Sequence, residues 1–311
     1  MKTLFNRQWV CTVKKLPEHL AVETHYLDTK REMSARMSVD PRTFEILNAA
    51  LEVCRASPGA GSPPGTREIP ELSGIPAYFE AGRELRKVNW ADELEQSLFA
   101  ENVRAVIQAE TFLLPERGFA SEEAYDGYWR DNYRNSCRYY SNLDRVKRTW
   151  TEHVAGQVRA RTLYVRTHGY HLYSLADFPS GHSPGGPFGA PPAAFEPSPS
   201  GREDLLLTGT FSDSFHELGL TLLLNGEDFT VVSARAGMLR GPDAVCFEGM
   251  AEAASLKGKK FSPPPAKKEI AALLGGENGC VHLIDVAHNL AETLALGNNF
   301  NGREAAGRFP G

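Results

Sequence analysis

Five residues in the C-terminal part of the chain combine reactive chemistry with suggestive placement. They are Asp213-Ser-Phe-His216, Cys246 and Cys280-Val-His282. Thiols and imidazoles, with Asp213 as an oxygen donor, suit zinc or iron. The separations are too long for zinc-finger spacing, so position carries the argument. Asp213 and His216 precede a strand-like run, Cys246 precedes a helix, and Cys280 and His282 open another after the turn at Asn278-Gly279. Side chains at such ends can converge from different elements. A helix N-terminus offers unpaired N–H groups and the positive end of the dipole. Both favour thiolate, the form that ligates metals or attacks electrophiles.

The same residues support a second chemistry, with Cys280 as a nucleophile or sulfur carrier activated by the helix terminus and by His216 or His282. No cysteine-protease signature and no clear third, orienting residue accompanies it. A third reading makes the cysteines core filling, with His282 as a cap, in a non-catalytic binding module. His288 reads as a packed histidine and His182 as a solvated loop histidine. Gly237 to Gly241 lacks the Lys-Ser/Thr ending of a phosphate loop.

The elements that must position these residues follow from periodicity. Trp9 to Lys14, Ala21 to Tyr26, Met33 to Val39 and Thr43 to Leu51 alternate like strands, with a turn at Asp40-Pro41. Ser57 to Gly65 is a flexible break, and residues 91–112 look helical. Residues 116–160 interleave Tyr125, Trp129, Tyr139, Tyr140 and Trp150 with Arg130, Arg138, Arg145 and Arg148. Such a mixture can stack on bases, but interspersed acids dilute its charge. It reads as a helical connector that packs its rings. Residues 161–175, 205–210, 217–224 and 229–234 return to strands, with a hairpin signal at Asn225-Gly226. Pro179 to Gly201 holds seven prolines and five glycines, a loop that is mobile or a cover. Helices follow at about 247–256, 266–274 and from Cys280 to Leu296. Here Cys280, Ile284, Ala287, Ala291 and Leu294 form one apolar stripe.

Residues 26–55 slide without a gap onto 211–240. Asp28 meets Asp213, Glu32 meets Glu217, Phe44 meets Phe229, Ala49 meets Ala234 and Arg55 meets Arg240. Both stretches turn at the same point, Asp40-Pro41 against Asn225-Gly226. Leu4-Phe-Asn-Arg7 also resembles Leu163-Tyr-Val-Arg166. The pattern predicts an internal duplication with a Pro/Gly insertion in the second copy. Arg31 stands opposite His216, and Cys246 has no counterpart, so any chemical site belongs to the second copy.

The expected fold class is α+β: two related halves, each a small antiparallel sheet with helices on one face, joined by the helical connector. The boundaries are 1–115 for a degenerate first copy, 116–160 for the connector and 161–296 for the second copy. A Pro/Gly loop occupies 178–203, and a polar, frayed tail spans 297–311.

Asp213-Ser-Phe-His216, Arg240-Gly-Pro-Asp-Ala-Val-Cys246 and Gly279-Cys-Val-His-Leu283 resemble, in order, the motifs of the domain of unknown function 2889 family. That resemblance covers about 161–296 and implies no established activity. The arrangement is also similar to iron–sulfur cluster scaffold proteins of the IscU/NifU type. Their ligand loop falls at Asp213, their hairpin at Asn225-Gly226, their second cysteine at Cys246 and their last ligand pair at Cys280 and His282. Ser212 stands where their first cysteine would be, and the last pair is Cys-x-His instead of His-Cys. The resemblance implies a shared fold and a metal-capable pocket, with zinc or an iron or iron–sulfur unit as cofactor.

The totals are those of a soluble globular protein: 311 residues, 41% hydrophobic, 23% charged, net charge -5. There is no global attraction to nucleic acid, and no apolar run reaches the length of a membrane span. With no signal-peptide core at the N-terminus, a cytoplasmic location is expected. Five cysteines, odd in number and widely spaced, imply no disulfide framework. Neither nucleic acid nor membrane is the expected partner; the partner is left open, with a protein docking on the connector or the Pro/Gly loop as the candidate under the binding-module reading.

Overall fold

Leu20, Val22, Thr24, Tyr26 and Asp28 alternate inward along one strand, and this period-two burial dictates a sheet with a covered face. A computed structural model describes the chain except residues 59–60, 158, 176–203 and 307–311, and the side chains of 299–306. The Pro/Gly loop with His182 lies outside the described residues. The strands are β1 (Lys2–Lys15), β2 (Leu20–Asp28), β3 (Arg31–Val39), β4 (Ile46–Ala56), β5 (Gly65–Glu68), β6 (Thr162–Ser174), β7 (Leu205–Asp213), β8 (Glu217–Leu224) and β9 (Val231–Arg240). The helices are α1 (Ala81–Leu85), α2 (Glu93–Ala109), α3 (Glu122–Tyr133), α4 (Arg138–Ser141), α5 (Trp150–Val154), α6 (Ala244–Glu248), α7 (Lys267–Leu273) and α8 (Val281–Ala306). The molecule is α+β, with its antiparallel strands as the dominant element.

Two units divide the chain. The N-terminal unit comprises Gln8–Asp131 and Thr149–His168; the C-terminal unit comprises Met1–Arg7, Asn132–Arg148 and Gly169–Gly311. The stretch read as one connector is thus shared out, with Asn132–Arg148 assigned to the C-terminal unit. Its rings are core material: Tyr125, Trp129, Tyr139, Tyr140 and Trp150 are buried. In the N-terminal unit, Trp150 Nε1 donates to Thr111 Oγ1 at 2.9 Å, and Asp126 accepts from the Thr151 N–H and hydroxyl.

In the N-terminal unit β2, β3, β4 and β5 form an antiparallel meander, with Tyr26 opposite Met33 and Ala35 opposite Leu51. Asp92 caps α2 by accepting from the Leu94 and Glu95 N–H groups. The helix then lays Leu98, Phe99, Val103 and Val106 over β2 and β3.

In the C-terminal unit β7, β8 and β9 form the corresponding meander, with Phe211 opposite Leu218 and Leu222 opposite Ala234. The β8–β9 connection is not the two-residue turn that Asn225-Gly226 signals. Asn225 N–H bonds the Thr230 carbonyl, Asn225 Oδ1 accepts from Glu227, and Phe229 takes the left-handed conformation at φ 57°. The β3–β4 connection does the same: Asp40 N–H bonds Glu45, and Phe44 sits at φ 61°. A side-chain-stapled loop has replaced the glycine-based turn. Ladder irregularities also correspond, at Glu32/Met33 and Ser38/Val39 in one meander and at Glu217/Leu218 and Leu223/Leu224 in the other.

Helix α8 covers β7 and β8, and Gly209 sets how closely it approaches. A Cβ at Gly209 would sit 2.7 Å from Val286 Cγ1, 3.1 Å from Tyr170 Cδ1 and 3.2 Å from Leu290 Cγ. We expect Gly209→Val to destabilise the protein by about 1–3 kcal/mol through overpacking, read from urea unfolding midpoints. An unchanged midpoint would show that the helix yields freely.

The helix also outruns its expected end at Leu296, continuing through Ala306 where the sequence suggested a frayed tail. Packing fixes the helix up to Gly297. Arg7 donates from Nε to Thr293 Oγ1 at 2.8 Å and from Nη2 to the Asn289 carbonyl at 2.6 Å. A Cβ at Gly297 would lie 2.5 Å from Leu172 Cδ2.

Candidate metal centre

The end of β7 delivers the first ligand candidate. Asp213 is buried, and its Oδ1 accepts the Phe215 N–H at 2.7 Å and the His216 N–H at 2.6 Å. This staple closes the turn into β8 and leaves His216 beside its own carboxylate, with Nδ1 at 3.2 Å from Asp213 Oδ1. The second imidazole comes from the first turn of α8. The Ile284 N–H bonds the Cys280 carbonyl at 3.0 Å, so the helix starts directly after Cys280 and places His282 there. The His216 and His282 rings lie 4.1 Å apart by centroid, and Phe211 stacks on His282 at 4.7 Å.

One ligand atom from each of Asp213, His216 and His282 lies within 4.8 Å of the others. Burial alone would raise the Asp213 pKa. Its electrostatic interaction and hydrogen bond with His216, then His282 and the Phe215 N–H, outweigh burial and hold the carboxyl well below the usual range. A carboxylate and two facing imidazoles form a donor set for a borderline metal ion, with coordination positions to spare.

The meander of the N-terminal unit separates structural role from chemistry. Asp28 Oδ1 accepts the Lys30 and Arg31 N–H groups, both at 2.6 Å, the same staple as Asp213. Where His216 stands, that unit has Arg31, ion-paired to Asp92 at 2.5 Å. The carboxylate is therefore loop architecture in both units, and the imidazoles are what the C-terminal unit adds.

Cys246 and Cys280 are buried in the same unit, but neither belongs to the three-residue group just described. Asp243 caps the turn that carries Cys246, accepting the Val245 N–H at Oδ1 and the Lys147 and Arg148 N–H groups at Oδ2. Burial pushes both thiols up to about 12, against weaker opposing hydrogen bonds. As free side chains they are thiols at neutral pH, which counts against Cys280 as an unassisted nucleophile. His288 faces Glu292 at 3.8 Å on α8.

Two residues that sequence spacing passed over adjoin the thiols. Cys137 precedes α4, and Arg138 follows it. The Arg138 N–H bonds the Gly279 carbonyl at 2.8 Å, and its Nε bonds the Val245 carbonyl at 2.8 Å. No periodicity marks them, because both contacts join segments distant in sequence.

The C-terminal unit is thus an antiparallel meander under a long helix, with a largely buried carboxylate–imidazole group where the two meet. Residues 207–296, from β7 through most of α8, match the family described as protein of unknown function (DUF2889). That span contains Asp213, His216, Cys246, Cys280 and His282; Cys137 and Arg138 lie outside it. Comparison with curated proteins and with solved structures gave no match. No described helix is long and apolar enough to cross a membrane.

Proposed function

We propose that the C-terminal unit binds a transition-metal ion of the zinc or iron class through His216, His282 and Asp213, with Cys246 and Cys280 as sulfur donors of the same unit. The observation that carries this reading is the approach of three ligand atoms to within 4.8 Å, with Asp213 and His216 buried and His282 half-buried. The donor chemistry fits. Asp213 is kept ionised, and its bond to His216 Nδ1 fixes the orientation of that ring beside the carboxylate. Two imidazoles and a carboxylate leave open positions, which suits a catalytic or exchangeable ion better than a closed structural one. The scaffold-like order of the motifs extends the reading to an iron–sulfur unit held by thiolates.

We further read the two meanders as copies of one ancestral unit. The matching Asp28 and Asp213 staples, left-handed Phe44 and Phe229, and paired ladder irregularities support it. A location in the cytoplasm and a protein partner for the connector remain part of the proposal.

The test is metal content and visible absorbance after purification without oxygen, beside a His216→Ala/His282→Ala variant. Near-stoichiometric zinc or iron in the parent and none in the variant is expected. Visible charge-transfer bands would identify an iron–sulfur unit, and a colourless zinc protein would exclude it. A variant that keeps its full metal content would sink the assignment.

A further inference from the structure

The two facing imidazoles are held by different means. His216 is fixed to the end of the sheet by the Asp213 staple. His282 sits in the first turn of α8, so its place depends on the turn that launches the helix. That turn has no slack, since a Cβ at Gly279 would overlap the Leu274 carbonyl oxygen. Helix α4, which lies outside the family-matched stretch, grips it. The Arg138 N–H donates to the Gly279 carbonyl at 2.8 Å, Arg138 Nη1 to the Asn278 carbonyl at 3.2 Å and Ser141 Oγ to the Glu277 carbonyl at 2.6 Å. Successive carbonyls just ahead of His282 thus end on α4. The grip has a firm base. Tyr139 and Tyr140 are buried, and Arg138 Nε donates to the Val245 carbonyl at 2.8 Å. A Cβ at Gly249 would lie 3.3 Å from Arg138 Cδ and 3.5 Å from the Cys280 Cβ, so the arginine stem is packed between the end of α6 and the start of α8. The planar fork of the guanidinium lets one side chain reach the Val245 and Asn278 carbonyls and Glu248 together.

We propose that Arg138 is a positioning residue for the metal centre: by fixing the turn ahead of α8, it sets the approach of His282 to His216. This rests on reading His216, His282 and Asp213 as metal ligands. Arg138 acts through backbone carbonyls, because a guanidinium has no lone pair to give an ion. The second support of His282 is Phe211, stacked on its ring at 4.7 Å. Phe211 belongs to the sheet, whereas Arg138 holds the helix end, so the two groups fix the ring from opposite elements. Ligand groups tolerate little misplacement, and loss of the residues that orient them weakens metal binding. The coupling is also reciprocal: a clamp that favours the metal-binding arrangement is itself stabilised when metal binds.

Zinc affinity, read by competition with a chromophoric chelator, and the visible spectrum of the cobalt(II) form test this in the full-length protein. Arg138→Met keeps an apolar stem and loses the fork. It is expected to bind zinc about 10–100-fold more weakly, the order seen when an orienting group is lost. Its cobalt bands are expected to change, because they report ligand geometry, which a loss of fold stability alone would leave as it is. Arg138→Lys keeps the charge without the fork and is expected to behave in the same way. Glu248→Gln removes only an exposed ion pair and is expected to keep the parental affinity and bands. In the unmutated protein, zinc is expected to slow hydrogen exchange of α4, which reads the coupling without any variant. Parental affinity and bands in Arg138→Met or in Arg138→Lys, or exchange of α4 that ignores bound zinc, overturns the proposal and leaves the three ligands standing. A parent protein that binds no zinc or cobalt overturns the ligand reading and the role of Arg138 with it.

Discussion

Asp213→Ala is expected to cost about 2–4 kcal/mol of stability, because two buried backbone N–H groups lose their acceptor. Asp28→Ala is expected to cost a comparable amount, since Asp28 makes the same two bonds in the other meander. The carboxamide variants separate loop from site. Asn keeps an oxygen for the two N–H groups, so Asp213→Asn and Asp28→Asn should each lose only about 1 kcal/mol, one hydrogen bond's order. Their effects on metal then diverge. Asp213→Asn removes the charge beside His216 and His282 and weakens metal binding about 10–100-fold, as loss of an orienting carboxylate does. Asp28→Asn leaves it unchanged, because Arg31 and not an imidazole stands beside Asp28. Urea unfolding and a zinc titration on the four variants read out both quantities. Metal binding in Asp213→Asn equal to the parent would reduce Asp213 to a loop residue.

The residues differ in how openly they announce this arrangement. Leu20 to Asp28 and Leu207 to Asp213 sit in strands whose alternation is local, so these strands follow from the sequence pattern. Asp213 and His216 at a strand end, and His282 at a helix start, were equally legible, because turn and cap chemistry acts over a few residues. Longer-range geometry was not. The sequence treats Cys246, Cys280 and the imidazoles as one donor set. The fold brings His216, His282 and Asp213 together and joins the cysteine segments through Arg138. That junction depends on a backbone bond from residue 138 to residue 279, and no window along the chain contains it. The extent of α8 was hidden for a similar reason. Gly297 ordinarily ends a helix, but here it gives room for Leu172 and Phe5, and tertiary contact overrides propensity. Phe229 likewise holds a conformation its side chain disfavours, imposed by the loop bonds around it.

The arginines in the matched segments Leu4–Arg7 and Leu163–Arg166 lead to the largest stability effect. Both are buried, but they meet different partners. Arg7 binds a hydroxyl and a carbonyl on α8, whereas Arg166 faces the carboxylate of Glu101 on α2 at 3.0 Å. His168 Nε2 lies 3.7 Å from the same carboxylate, with Trp9 stacked on its ring at 4.7 Å. Removing Glu101 strands a buried guanidinium, so Glu101→Ala is expected to cost about 3–5 kcal/mol, the usual penalty for breaking a buried pair. Replacing both partners, as Glu101→Leu/Arg166→Met, should recover much of that loss, since no unpaired charge remains. The pair also predicts acid sensitivity. Burial by itself would raise the Glu101 pKa; Arg166, Arg104 and His168 outweigh it and hold the carboxyl well below its usual range. A depressed folded pKa contributes stability above the unfolded value of about 4.3, and that contribution fades as pH falls towards the folded value. Urea midpoints of the parent should therefore drop between neutral pH and about pH 3, the acid side of that value. Glu101→Gln, already weaker at neutral pH, should drop less. The same pH slope in both proteins would show that this carboxylate does not govern the acid response. A loss in Glu101→Ala below about 1 kcal/mol, the scale of an exposed pair, would show that water already screens it.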